Sequence, residues 1–320
     1  NAVNSKVISI PYLTNTNLLY SNGVFTSLFF DWEYSNASIF RKRWENYSST
    51  SKYFASAAQY NDLTSGRNRL DETLYLTVSA YLNDVMPNVP NIISNKISES
   101  RNRIVWDYWL PFNRLTSSQF RYLDTLYNTL NASPTNNSVW TLIHSWQKYG
   151  YDNHFPDVAP LISSSPYGTQ QQLISTITAI KTKSYLAGLH ENYFNFCENA
   201  PIIWNDAAKN ELGNAWFLYY DSFNATNHYL MKPSKAIQYL NQEWTDITSY
   251  STNSSFLDVH ASIDPGEAID YDATVTGAGK FKETLKQYRD LASLVKSKHN
   301  GPLSGEGREH MYYLGWFDDV

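Results

Sequence analysis

Acidic side chains follow each of four apolar runs in the second half of the sequence. Asp152 comes a few residues after the first run, Glu191 closes the second, Asp258 follows the third and Glu306 the fourth. Carboxylates are costly to bury unless they are paired or used, and the carboxyl ends of parallel strands meet at one edge of a sheet or barrel. We therefore expect these four groups to converge on one chemical site.

Asp258 and Glu306 form the candidate catalytic pair. Cleavage of a glycosidic bond requires one carboxylate to attack or stabilise the anomeric carbon and a second carboxyl group to protonate the leaving oxygen. Asp258 directly follows an apolar run, while Glu306 lies between Gly305 and Gly307. Glycines beside a carboxylate allow a substrate to approach closely, although a tight turn explains them equally well.

The side chains around these carboxylates suit a sugar ligand. Aromatic rings stack on the apolar faces of sugars, and carboxylates, amides and imidazoles bond their hydroxyl groups. Aromatic residues make up 16% of the chain, which is more than a core alone needs, although an aromatic-rich core is the competing explanation. The predicted sugar-binding residues are Trp146, Tyr151, Asp152, His190, Glu191, Tyr193, His260 and Trp316.

Other chemistries lack support in the sequence. The chain contains no glycine-rich phosphate loop of the dinucleotide or P-loop type and no Gly-x-Ser-x-Gly nucleophile motif. The histidines show no paired metal-ligand spacing, so we expect neither a cofactor nor a metal ion. With a formal net charge of −5 and no basic cluster denser than 41–43, the chain is not expected to bind nucleic acid.

Two regions are predicted to build the protein. Residues 24–30 and 73–79 are rich in β-branched and aromatic side chains and follow turn-forming residues, which indicates an antiparallel β-sandwich. Pro87 and Pro90 lack the N–H group that a sheet ladder needs, so we place a connection there. The predicted domains are the β-sandwich over 1–105 and a barrel region over 106–320.

Helix and strand patterns alternate in the second region. Capping boxes and a proline in a first helical turn mark the helix starts, and apolar runs mark the strands. The helices start near Thr116, Thr169, Pro233 and Phe281, and the strands between them cover 139–144, 184–190 and 255–260. This alternation predicts an α/β fold with a parallel sheet, which is either a barrel or a doubly wound sheet. The missing nucleotide motifs favour the barrel.

Several features indicate an exported or surface protein. The single Cys197 excludes an internal disulfide framework. No apolar run approaches the ~20 residues that span a bilayer, and the sequence shows neither an initiator Met nor a signal peptide, so we expect a soluble, trimmed chain. Six Asn-x-Ser/Thr sites are candidates for N-glycosylation, namely Asn36, Asn46, Asn131, Asn136, Asn224 and Asn253.

Five motifs resemble a known group of proteins. They are YGYDNHFPD at 149–157, LHENY at 189–193, LMKPS at 230–234, FLDVH at 256–260 and GPLSGEG at 301–307. They resemble the glycoside hydrolase-like barrel proteins related to endo-α-N-acetylgalactosaminidases. The resemblance extends back through 29–32 and 75–79 to the β-sandwich that precedes the barrel in such proteins, and so covers most of the chain.

The resemblance implies a (β/α)8 TIM-type barrel with an Asp nucleophile on one strand and a Glu acid/base on a following strand. These roles match Asp258 and Glu306. A retaining reaction on an extracellular glycan or polysaccharide is implied as well. Only four βα strands are visible before Val320, so the sequence accounts for the first half of such a barrel.

Two other classes of protein stay open at this point. A surface or envelope protein could keep a hydrolase-like barrel as a scaffold and bind or display glycans without cutting them, because fold does not fix function. A structural subunit of a cell-surface assembly is the third possibility, and strand pairing between chains would reveal it.

Overall fold

The computed structural model describes most of the chain from residue 94 onward and shorter segments before it. The described ranges are 25–31, 40–43, 52–55, 62–63, 66–67, 73–81, 94–109, 138–160, 169–201, 203–307 and 310–319, with the single residues 84, 128 and 132. The helix predicted to start near Thr116 lies outside the described residues, except for Asn128 near its end.

The earliest segments are strands that pair in antiparallel fashion. The pairs are β1 (Phe25–Asp31) with β6 (Thr73–Ser79), β2 (Phe40–Arg43) with β3 (Lys52–Ala55), and β4 (Asp62–Leu63) with β5 (Gly66–Arg67). The strands predicted at 24–30 and 73–79 are thus confirmed. The β-sandwich itself stays a prediction, because the described segments form three separate two-stranded pairs.

A parallel five-stranded sheet follows. Its strands are β7 (Arg103–Trp109), β8 (Ser138–His144), β9 (Leu186–Glu191), β13 (Ser254–Leu257) and β14 (Leu303–Gly305), and their order in the sheet is their order in the chain. Each strand is added on the same side of the preceding one, and the sheet curls into half of a barrel. In a doubly wound sheet the order of strand addition reverses partway through the chain. The expected barrel architecture is thus present as a half-barrel.

The sequence analysis did not predict β7. It pairs in parallel with β8 from Arg103↔Ser138 to Trp109↔His144. The sheet therefore begins three residues before the predicted start of the barrel region at 106, and the division into two domains stays a prediction.

The inner face of the half-barrel is closed by side chains. Trp140, Leu142, Leu186 and Phe256 form a buried cluster there, and the indole N–H of Trp140 donates to Ser254 Oγ at 2.9 Å. A Cβ atom at Gly188 would lie 2.9 Å from Ser254 Oγ and 3.2 Å from Leu142 Cδ2. Glycine at this position therefore allows the neighbouring strands to pack closely.

The outer face of the sheet is covered by helices. They are α2 (Gln170–Thr182), α3 (Ala236–Ile247) and α4 (Phe281–His299), and a short helix α1 (Ile97–Ser100) precedes β7. The predicted capping box of α2 is confirmed, because Thr169 and Gln172 bond each other's backbone N–H groups. Two buried clusters join α2 to β8 and β9, and α3 and α4 to β13 and β14. Among the described helices, none is long and apolar enough to cross a bilayer.

A small antiparallel sheet is inserted between β9 and α3. It consists of β10 (Asn195–Cys197), β11 (Phe217–Asp221) and β12 (Thr226–Leu230), with β12 in the centre. The sequence analysis did not predict it, because its strands have only three to five residues. β10 starts four residues after β9 ends, so the insertion begins at the carboxyl edge of the main sheet.

Glu243 on α3 ties this helix to the loop after β8. Its Oε2 accepts the backbone N–H groups of Val158 at 3.3 Å and Ala159 at 3.0 Å. Burial raises the pKa of Glu243 to about 7, and the two N–H bonds only partly oppose that rise. The folded protein thus holds this proton more tightly than the unfolded chain, whose glutamates have the ordinary pKa of about 4.5.

Replacing Glu243 with glutamine keeps an oxygen acceptor and removes the titration. A pKa raised on folding contributes stability that is complete below the unfolded pKa and is lost as pH rises through the folded pKa. We expect the unfolding free energy of the wild type to fall relative to Glu243→Gln between pH 4.5 and 7, by up to about 3 kcal/mol. Urea denaturation at several pH values measures the difference, and a pH-independent difference would contradict it.

Candidate functional site

The register of the main sheet places Asp258 and Glu306 next to each other. Leu257 pairs with Gly305, and each of these residues is followed directly by one of the two carboxylates. Neighbouring strands lie ~4.8 Å apart, so the two acids leave the carboxyl edge at equivalent positions on adjacent strands. Asp258 is buried and Glu306 is exposed. The Ser262 hydroxyl donates to Glu306 Oε2 at 2.8 Å.

Asp258 is a buried carboxylate held by an imidazole. Its Oδ2 lies 3.4 Å from His190 Nε2 and 3.4 Å from the side-chain amide nitrogen of Asn192. Burial opposes ionisation of Asp258, but the positive charge of nearby histidines, led by His190, outweighs it and lowers the pKa of Asp258 below its usual value. Burial likewise opposes protonation of His190, and the Asp258 charge raises its pKa in spite of that. The two groups form an ion pair.

The pKa of Asp152 is shifted in the opposite direction to that of Asp258. It lies in the loop after β8 with a positive φ of 52°, and its Oδ1 is buried without a hydrogen-bond partner among the described residues. One ligand atom each of Asp152, His190 and Asp258 lie within 4.8 Å of one another. Burial, followed by the charge of Asp258, raises the pKa of Asp152 to about 7. The site thus combines one ionised carboxyl group and one that titrates near neutral pH.

Rings complete this part of the site. The Tyr151 ring lies 5.2 Å from the His190 ring, and the His144 ring lies 4.9 Å from His190 and 4.9 Å from Phe256. His144 in turn contacts the carboxylate of Asp107 on β7. The charge of Glu306 contributes to the raised pKa of both Tyr151 and Asp152, although burial contributes most.

The inserted sheet holds the loop that carries Asp152. Asn224, in the β11–β12 turn, donates its side-chain N–H groups to the Tyr151 carbonyl at 3.1 Å and to Asp221 Oδ2 at 2.7 Å. The buried Cys197 thiol lies 3.6 Å from the Asp152 carbonyl oxygen. These contacts fix the backbone on both sides of Asp152 in its left-handed conformation.

Two of the predicted glycosylation sites are engaged in the fold. Glycan attachment would use the amide nitrogen of Asn224, which bonds the Asp152 loop, or that of Asn253, which donates to the Tyr185 carbonyl at 3.3 Å. Asn253 Oδ1 also accepts the N–H of Ala187 at 2.8 Å. The sites at Asn36, Asn46, Asn131 and Asn136 lie outside the described residues.

Glu191 is turned away from the other carboxylates. It neighbours His190 in a strand, where successive side chains point to opposite faces, and its carboxylate bonds His299 of α4 at 2.8 Å on the helix side of the sheet. Ser255 and Tyr193 donate to it as well. Burial opposes its ionisation, but His299 and these hydroxyls lower the pKa of Glu191 below its usual value. Glu191 is therefore part of the packing between sheet and helix.

Four other predicted sugar-binding residues are engaged in packing or in hydrogen bonds within the protein, namely Trp146, Tyr193, His260 and Trp316. Trp146 is fully buried and donates its indole N–H to the His190 carbonyl at 2.8 Å. Tyr193 is buried against Glu191, and Trp316 packs under the guanidinium of Arg289 at 5.6 Å. His260 is buried with its Nδ1 2.7 Å from the Asp258 carbonyl oxygen, and burial lowers its pKa to about 4.

The structure places Tyr151, Asp152 and His190 beside Asp258, with Glu306 at the end of the adjacent strand, and their role in a sugar site stays a prediction. Sequence analysis missed the contributions of Asp107, His144 and Asn192, although His144 and Asn192 stand at the ends of strands and so carried a usable signal. A Cβ atom at Gly305 would lie 2.6 Å from the ring of Phe317. This glycine thus makes room for a ring of the protein itself rather than for a substrate.

The side chains of Asp152, His190 and Asp258 are close enough together to hold a metal ion. The Gln147 amide nitrogen lies 3.0 Å from His190 Nδ1. In the ion pair the protonated ring carries protons on both nitrogens, so Nδ1–H donates to the oxygen of the Gln147 side-chain amide. A neutral ring that accepts the amide N–H at Nδ1 carries its proton on Nε2. In both states Nε2 faces Asp258 without a lone pair for a metal. The ion pair therefore accounts for this cluster as it stands.

A curled parallel sheet with acidic and imidazole groups at its carboxyl edge defines a barrel of the (β/α) class. No protein-family model and no curated protein sequence matches the chain. Solved structures with the same fold include glycoside hydrolases, at sequence identities that establish the shared fold alone.

One of these structures is the ligand-free α-N-acetylgalactosaminidase NagBb from Bifidobacterium bifidum. It has a TM-score of 0.64 and 13% identity, over 90% of this chain and 51% of that one. Its complex with Gal-NHAc-DNJ gives a TM-score of 0.60 at 13% identity, over 78% and 43%. The α-galactosidase TtGalA from Thermus thermophilus gives 0.50 at 15% identity, over 79% and 47%. The chain spans about half the length of these structures.

Replacing Asp258 with asparagine should change two titrations at once. The pKa of Asp152 should fall below about 7, because the like charge of Asp258 is lost, but stay above its usual value because Asp152 remains buried. The pKa of His190 should fall as well, because it loses its anionic partner. Carboxyl ¹³C and imidazole ¹⁵N NMR titrations measure both. Asp290→Asn, on the exposed face of α4, is the control, and unchanged pKa values in Asp258→Asn would contradict the assignment.

Proposed function

We propose that the protein is a retaining glycoside hydrolase with Asp258 as nucleophile and Glu306 as acid/base. The observation that carries this proposal is the register of β13 and β14, which sets both carboxyl groups on adjacent strands at the carboxyl edge. Retaining enzymes place these groups about 5–5.5 Å apart, which is close to the spacing of adjacent strands.

The ionisation of Asp258 and the exposure of Glu306 support these roles. A nucleophile must be ionised, and the lowered pKa of Asp258 keeps it so. Its partner His190 and the Asn192 amide hold the carboxylate in place. Glu306 is exposed at the lip, where it can reach a leaving group and then a water molecule. Ser262 orients it by donating to Oε2.

The reaction proceeds in two displacements. Asp258 attacks the anomeric carbon while the protonated Glu306 gives its proton to the glycosidic oxygen, so the leaving group departs as an alcohol and a glycosyl ester forms on Asp258. Glu306, now ionised, takes a proton from water, whose oxygen attacks the anomeric carbon and releases Asp258. Two inversions give net retention, and both carboxyl groups return to their starting states.

Asp152, His190 and Tyr151 form the sugar-binding side of the site in this proposal. Asp152 lies beside His190 and Asp258, and the Tyr151 ring stands beside His190. The structures of similar fold include an α-N-acetylgalactosaminidase and an α-galactosidase. We therefore propose an α-linked galactose-type sugar as the substrate, within an extracellular glycan, as the resemblance to endo-α-N-acetylgalactosaminidases also implies.

Aryl α-glycosides of galactose and N-acetylgalactosamine test the proposal on the full chain. Wild type should release the aryl group and give a product of retained configuration by ¹H NMR. Glu306→Gln should lower kcat by about 10²–10⁴ on substrates with poor leaving groups and much less on activated ones. Asp258→Asn should lower kcat at least as far on both kinds of substrate.

Asp290→Asn is the matched control, because it removes a carboxylate from the exposed side of α4, and it should leave kcat unchanged. Unchanged turnover in both Asp258→Asn and Glu306→Gln would refute the catalytic pair. Binding of glycans by the wild type without any release would refute catalysis and support the glycan-binding scaffold. An inverted product would refute the retaining mechanism.

A further inference from the structure

A cavity outside the proposed active site lies at the beginning of α4. Its walls are the loop 275–278, the turn at Pro233 and Ser234, and the first two turns of α4. The polar lining residues are Ser234, Asp270, Thr276, Glu283, Thr284 and Gln287. They offer carboxylate, hydroxyl and amide oxygens, and the cavity lining contains no histidine or cysteine.

Asp270 is the unusual member of this lining. It is 6% exposed, and its Oδ1 accepts the N–H groups of Lys209 at 2.9 Å and Asp272 at 3.0 Å. Its Oδ2 is buried and has no hydrogen-bond partner among the described residues. A buried carboxylate oxygen without a partner is costly, and a bound water or ion is one explanation for such a group in a native protein.

The nearby lysines do not supply the missing partner. Lys232 Nζ bonds Asp272 Oδ2 at 2.8 Å and the Asn205 carbonyl at 2.6 Å, and Lys209 Nζ lies 3.1 Å from the same Asp272 oxygen. Both ammonium groups are thus directed to Asp272, and Asp270 keeps one oxygen free.

Glu283 brings a second carboxylate to the cavity. Its Oε1 accepts the Gln287 side-chain N–H at 3.0 Å. The loop backbone closes over its stem, because a Cβ atom at Gly277 would lie 2.3 Å from Glu283 Cγ, and Gly277 has a φ of +82°. Only glycine allows the loop backbone to approach the Glu283 stem this closely.

We propose that this cavity binds a calcium ion through Asp270 and Glu283. Ca²⁺ takes 6–8 oxygen ligands in irregular geometry, and carboxylates, carbonyls and hydroxyls of this kind are its usual ligands. Zn²⁺ and other softer metals prefer nitrogen or sulfur ligands, which the cavity lining lacks. The ion would link the loop 275–278 to α4 and give Asp270 Oδ2 the partner that it lacks. The proposal does not rest on the glycosidase activity.

Calorimetry with CaCl₂ on the EDTA-treated full chain tests the proposal. Wild type should bind Ca²⁺ with a Kd between about 10⁻⁷ and 10⁻³ M, more tightly than Mg²⁺, and its Tm should rise with added Ca²⁺. Asp270→Asn and Glu283→Gln should each bind at least about ten-fold more weakly. Glu283 is only half-buried, so its variant keeps the test decisive if Asp270→Asn folds poorly.

Two controls locate the ion. Asp290→Asn removes a carboxylate from the same helix outside the cavity and should bind Ca²⁺ as wild type does. Asp258→Asn should also leave the affinity unchanged, and loss of binding in that variant alone would place the ion at the Asp152–His190–Asp258 cluster and overturn the proposal. Equal affinity in Glu283→Gln and wild type, or no binding by wild type up to about 10 mM Ca²⁺, would overturn it as well.

Discussion

The site depends on the cost of burying a charged carboxylate at the edge of a parallel sheet. Asp258 remains ionised in a buried position because His190 on the neighbouring strand supplies the counter-charge at 3.4 Å. Removing one partner of such a pair leaves an uncompensated buried charge, which costs far more than the pair itself contributes. The parallel register of β9 with β13 is thus an electrostatic requirement as well as a packing one.

That ion pair determines what its neighbour can do. Burial and, after it, the charge of Asp258 raise the pKa of the neighbouring Asp152 to about 7. The inserted strands hold the backbone at Asp152 through Asn224 and Cys197, in addition to the contacts that the loop makes with the main sheet and α3.

The sequence predicted the main strands and helices because their apolar runs and capping boxes are local signals. It missed β7, whose side chains are mostly exposed or half-buried, and the short strands β10 to β12. It also assigned Trp146 and Tyr193 to a sugar site, although residue type alone does not tell which face a ring occupies. The position of the Glu191 side chain on the helix side of the sheet was predictable in principle, because alternation along β9 places it on the face opposite to His190. The left-handed backbone at Asp152 and the ion pair at Asp258 arise from contacts between distant segments and leave no local signal.

Cys197 gives the protein an internal reporter. It is the single cysteine of the chain, fully buried, and burial raises the pKa of its thiol to about 12, so the folded state presents almost no thiolate. Alkylating reagents can reach it only when the packing around β10 opens or the chain unfolds. The rate of its labelling under native conditions, compared with that of the unfolded chain, therefore reports the free energy of the opening that exposes this thiol.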